Sequence, residues 1–145
     1  MVVRESAVGF EEGLVSRVRY FDPAEANRSL IYIRRVAEDI TDVYAEVVEQ
    51  RVRIETAVHP DELSAREDAY KLAMRRLSDL VEELHQAGVE LRDFETGTID
   101  FPAMGDEGEI FLCWQVGEPE VAHWHEADTC CDHRQSLESL PELIG

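Results

Sequence analysis

The sequence is poor in cysteine and in positive charge, and each scarcity excludes something. Three cysteines, Cys113, Cys130 and Cys131, are too few and odd in number for a disulfide framework. Basic side chains number 14 against 32 acids, and Lys71 is the one lysine among them, so the formal net charge is −18. Binding nucleic acid requires cations set against phosphates, and no basic stripe runs through this chain, so nucleic acid is not an expected partner. Anionic membrane surfaces are disfavoured for the same reason. No apolar run approaches the roughly 18 residues of a transmembrane helix. Met1 to Leu14 lacks the apolar centre of a signal peptide, so a cytoplasmic location is expected. Neither an internal repeat nor a low-complexity segment is present.

What is there suits a folded chain. A length of 145 residues fits a single domain spanning 1–145, and 44% hydrophobic content is enough to build a core. The charge is uneven. Residues 22–58 and 59–88 each carry a net −3, whereas 89–145 hold fourteen acids against only Arg92 and Arg134. The acidic end is where a cation, a basic partner or a metal would be drawn.

Asp22-Pro23-Ala24-Glu25 reads as a capping box with proline at the first helical position. Apolar residues then recur at helical spacing through Leu30, Ile33, Ala37, Ile40, Tyr44, Val47, Ile54 and Val58. A second apolar line runs through Ile31, Val36, Val43, Val48 and Val52. His59-Pro60 should end this helix. A second helix, capped by Asp61 or Ser64, follows the stripe Ala69, Ala73, Leu77, Leu80, Leu84 and stops at Gly88. The first helix would be about 36 residues, or ~54 Å, against a compact diameter of roughly 40 Å. With its wide apolar face, that length predicts a homo-oligomer formed through the long helices.

After Gly88 the period changes to two, predicting a small antiparallel sheet of three or four strands over 89–126. Pro102 should mark a strand end or edge, and Gly105-Asp106-Glu107-Gly108 a hairpin turn. Ile110, Leu112 and Trp114 share one face of the strongest strand, which puts Trp114 in the core. The whole reads as α+β, a long antiparallel helical hairpin over 22–88 followed by the sheet. Residues 1–19 read as a loose N-terminal segment, and 127–145 as a tail with a short turn near Leu137 to Leu140.

Chemistry concentrates between His123 and Arg134. On a strand, His123 and His125 point to one side, and paired histidines beside a carboxylate are half of a metal site. His123, His125 and Glu126 are therefore the candidate ligands for a divalent metal, with Asp128, Cys130, Cys131 and His133 as further donors. No strict metal template is met. The candidate ligand-binding set is Trp114, Glu118, His125, Glu126 and Arg134. An enzyme would use His125 as general base with Glu118 or Glu126 orienting it. A cysteine nucleophile is disfavoured, because neighbouring acids oppose thiolate formation at Cys130 and Cys131. No complete catalytic motif exists, which favours a binding or interaction protein.

Five segments together carry a likeness. They are Phe21 to Asn27, Gly88 to Asp93, Gly97 to Ala103, the series Leu112-Cys113-Trp114-Gln115-Val116-Gly117-Glu118, and Trp124-His125-Glu126. Over residues 20–136 the chain resembles the prokaryotic family catalogued as DUF2203, a domain of unknown function. The resemblance implies a cytosolic protein with no assigned activity, and it brings no catalytic residues. It singles out His125, Glu118 and Arg134 as the shared positions best placed to form a site. Cys130, Cys131, Asp132 and His133 stand where the family has other residues.

Overall fold

Asp22 opens the first helix as the spacing predicts: its side chain accepts the Glu25 N–H at 2.8 Å, and the Glu25 carboxylate accepts the Asp22 N–H at 3.0 Å. The computed structural model describes residues 19–129 and 133–140. Helix α1 spans Pro23–Glu55 and α2 spans Pro60–Gln86. The sheet follows, with β1 at Glu90–Asp93, β2 at Thr98–Gly105, β3 at Gly108–Gln115, β4 at His123–Glu126 and β5 at Gln135–Ser136. The turn expected near Leu137 is a single 3₁₀ turn, Leu137–Ser139. The strands run antiparallel in sequence order, β1 to β5. The sheet therefore has five strands where three or four were expected. The extra one is the two-residue β5, too short to show an alternation in sequence.

The two helix boundaries differ from expectation in an instructive way. Pro60 does not merely end α1; it opens α2 at its first position, where its missing N–H costs nothing. His59 sits at the cap and makes no side-chain cap bond, so neither Asp61 nor Ser64 is needed there. Of the two readings of Pro102, strand end or edge, the structure gives the edge, since β2 continues through it to Gly105. Pairing with β1 stops at Asp100, so the β1 side of Pro102 has no ladder bond to lose. The Pro102 carbonyl instead accepts the Phe21 N–H at 2.7 Å.

The core lies between the hairpin and one sheet face. Leu30, Ile33, Ala37 and Ile40 of α1 and Leu77, Leu80 and Leu84 of α2 meet Ile99, Phe101, Leu112 and Trp114. Burying each large side chain contributes about 1.5–3 kcal/mol. Two contacts fix the sheet against the start of α1. Phe21 packs edge-on to Phe101, ring centres 5.3 Å apart. Asn27 reaches Val121 in both directions, its Oδ1 accepting the Val121 N–H at 2.8 Å and its Nδ2 donating to the Val121 carbonyl at 3.4 Å. Because Ile110, Leu112 and Trp114 face the helices, Phe111 and Cys113 turn to the opposite face. That outer face carries the site.

Candidate metal centre

Three neighbouring strands place one donor each on the outer face. Asp100 of β2 is the cross-strand partner of Cys113 of β3. His125 of β4 is the partner of Phe111, two residues before Cys113. Asp100, Cys113 and His125 are sealed from solvent, at 0%, 0% and 1% exposure. One carboxylate oxygen, the Cys113 Sγ and one imidazole nitrogen all lie within 4.8 Å of one another, and among the described residues this is the group of such donors able to hold a metal ion.

The imidazole has no freedom to turn. Nδ1 lies 2.8 Å from the Glu126 carbonyl, which only accepts, so Nδ1 carries hydrogen. Nε2 then faces both oxygens of Asp100, each at 3.0 Å. Arg92 donates from Nε to Asp100 Oδ2 at 2.6 Å, a charge-assisted bond. Its guanidinium also lies 5.0 Å from the Phe111 ring centre, while Phe111 tilts against His125 at 5.6 Å. A cysteine–histidine nucleophile would leave a ring nitrogen free to take the thiol proton. His125 instead commits Nδ1 to a carbonyl and Nε2 to a carboxylate.

Beside the three donors stands a second charged group. Arg134 grips Glu118 with two N–H groups, Nη1 to Oε1 at 3.1 Å and Nη2 to Oε2. The same Nη1 is 3.9 Å from Cys113 Sγ. Glu118 Oε1 also accepts the Gln115 N–H at 3.0 Å. Burial alone would raise the Glu118 carboxyl. The Arg134 hydrogen bond, the Gln115 N–H and the charges of Arg134 and His123 outweigh it, so the group sits below the usual carboxylate range. For Arg134 the bond to Glu118 leads, and holds the guanidinium above its ordinary value despite burial. His123 Nδ1 lies 4.0 Å from Glu118 Oε2 and is a buried nitrogen with no hydrogen-bond partner.

The residues singled out in sequence thus separate. Glu118, His123, His125 and Arg134 share the outer face, with Arg134 joining Glu118 to Cys113. Trp114 lies on the other face, fully buried, its indole N–H donating to the Glu118 carbonyl at 2.9 Å. Glu126 meets His125 only through its backbone, and its exposed side chain lines a cavity of about 440 Å³ shared with Asp106, Glu109, Trp124 and Asp128. Cys130 and Cys131 lie outside the described residues, as do 1–18. The carboxylate on His125 is Asp100, which sequence reasoning missed. Its signal was an acid alternating with Ile99 and Phe101 in an otherwise apolar strand. Arg92 was visible as one of two cations in the acidic third of the chain, and both of those cations prove to border the same cluster.

The fold and outer face together define an α+β protein with a helical hairpin and a buried carboxylate–thiol–imidazole cluster. Residues 19–137 match the family described as an uncharacterized conserved protein, DUF2203, and the chain belongs to that family. No curated protein and no solved structure matches the chain. No helix among the described residues is long and apolar enough to cross a membrane.

Proposed function

We propose that the protein binds a divalent, thiol-seeking metal ion of the zinc class, with Asp100, Cys113 and His125 as ligands. The observation that carries this reading is the convergence of three buried donors within 4.8 Å, one from each of three adjacent strands. Ligand bonds of ~2.0–2.3 Å place the donors of a tetrahedral zinc roughly 3.3–3.8 Å apart, a small contraction from the present spacing. The Nδ1 bond to the Glu126 carbonyl supports it further. Metal-bound histidines characteristically donate their other ring N–H to such an acceptor, which leaves Nε2 as the ligand. The ion would take the place of the direct contact between Nε2 and Asp100. A sulfur and a nitrogen among three donors favour zinc-class ions over magnesium or calcium, which take oxygen. A buried Cys113 outside any disulfide suits a reducing compartment.

Elemental analysis of untagged protein tests this, with one equivalent of metal expected in the wild type and none in His125→Ala. Metal-free wild-type protein that also takes up no added zinc would refute it.

A second copy of the chain is the further partner we propose, seated on the hairpin. The helices leave Ile31, Val52 and Leu72 more than half exposed. The two helical segments carry only −3 each, whereas the sheet and tail would repel their own copy. Light scattering should give a multiple of the 16.5 kDa chain, reduced to one chain by Val52→Asp with Leu72→Asp. A wild-type monomer at micromolar concentration would rule the dimer out.

A further inference from the structure

The cluster is closed, so an ion must have a way in. Behind Asp100, Cys113 and His125 lies the sheet, with the helices beyond it. Phe111, only 6% exposed, packs beside His125 on the same face. Over Cys113 the cover is different in kind. It is the Arg134–Glu118 pair, whose side chains keep 20% and 22% of their surface in solvent. Glu118 sits in the turn between β3 and β4. Arg134 immediately precedes β5, which is held to β4 by two residue pairs and is exposed. Arg134 can therefore part from Glu118, and give up its contact with Cys113 Sγ, without breaking any β2–β3–β4 pairing.

Two features suit this pair to a cation. While closed, the Arg134 guanidinium stands 3.9 Å from Cys113 Sγ and repels a positive ion there. Once released, Glu118 keeps its Gln115 N–H on Oε1, and 4.0 Å from its Oε2 lies His123 Nδ1, the buried nitrogen with no hydrogen-bond partner. A carboxylate and an imidazole are a pair of metal donors. His123 is also the cross-strand partner of Cys113.

We infer that Glu118 and His123 form an entry site that receives a divalent ion and passes it to Asp100, Cys113 and His125, with Arg134 as the gate. This rests on the metal-binding reading above. The order of events is simple: Arg134 leaves Glu118, the ion binds Glu118 and His123, and Cys113 Sγ then captures it as its proton leaves to water. The gate closes when Arg134 returns.

The test uses metal-stripped full-length protein carrying Cys130→Ser and Cys131→Ser, so that Cys113 is the sole thiol. Two rates are measured: alkylation of Cys113 by iodoacetamide, and Co²⁺ uptake followed by the thiolate–cobalt absorption band. Arg134→Ala should speed both by about ten-fold, the effect of losing a charged hydrogen-bonded pair. His123→Ala should leave alkylation unchanged and slow Co²⁺ uptake several-fold, with the final band intact. Leu77→Ala, a core variant of α2, controls for general loosening. Alkylation in Arg134→Ala no faster than in wild type, or no faster than in Leu77→Ala, overturns the gate. Unchanged Co²⁺ uptake in His123→Ala overturns the entry site. Absence of a cobalt–thiolate band in every variant overturns the metal reading and the entry site together, while the gate still stands or falls on the alkylation rates.

Discussion

Asp100 and His125 meet through both carboxylate oxygens, each 3.0 Å from Nε2, where neither residue is more than 1% exposed. The pair spans β2 to β4 across β3, and Arg92 extends it to β1. Removing Asp100 leaves the buried Nε2 of His125 without its hydrogen-bond partner. Asp100→Ala should therefore lower unfolding free energy by about 1–3 kcal/mol. Asp100→Asn, which keeps the shape and one acceptor oxygen, should lose less. Urea denaturation of metal-free protein measures both, and a wild-type midpoint in Asp100→Ala would contradict the account.

Metal selectivity follows from donor type. Zinc at one hundred times its dissociation constant should stabilise the fold by about 2.7 kcal/mol, seen as a rise in melting temperature. Magnesium and calcium at the same excess over protein should leave it unchanged. In Cys113→Ser the zinc effect should shrink most, because the sulfur is the donor that hard cations do not seek.

The Glu118 carboxyl sits below its ordinary value of 4.5 in the folded protein, burial being outweighed by the Arg134 bond and the Gln115 N–H. A depressed carboxyl contributes stability that is fully present above the unfolded value and is lost as pH falls through the folded one. Wild type and Glu118→Gln should therefore differ most at neutral pH and converge in acid. Thermal melts at a series of pH values check this, and a gap that widens on acidification would reverse the sign argued.

Gly97 carries a tight constraint. Its φ is +67°, and an added Cβ would lie 2.5 Å from Val116 Cγ2 and 2.9 Å from Thr41 Cγ2. Gly97→Ala combines a left-handed backbone cost of roughly 1–2 kcal/mol with overpacking of about 1–3 kcal/mol. A fall of about 2–5 kcal/mol in calorimetric stability is expected, the sum of the two costs. By contrast Gly117, at φ +103° with open space around it, should pay the backbone cost alone when changed to alanine.

Much of the fold was legible because helical and strand periods are local. The Asp22–Glu25 box, the α1 stripe from Leu30 to Val47, the Gly88 stop and the Ile110–Leu112–Trp114 face all behave as their spacing requires. Where spacing left two readings open, a distant partner decided. Pro102 continues a strand because β1 has already ended beside it. The site was half legible: His123 and His125 stood out by their spacing, Glu118 and Arg134 through the family resemblance, and Asp100 was not singled out.

The sequence by itself determined which residues are helical, which alternate in strands, and that cations are rare in the last third of the chain. Those properties depend on spacing along the chain and on charge. Only the tertiary structure decided which acid meets His125. Sheet register sets Asp100 beside Cys113 and Phe111 beside His125. Register is fixed by pairing between strands far apart in sequence, and a slip of one residue would turn each of these side chains to the opposite face.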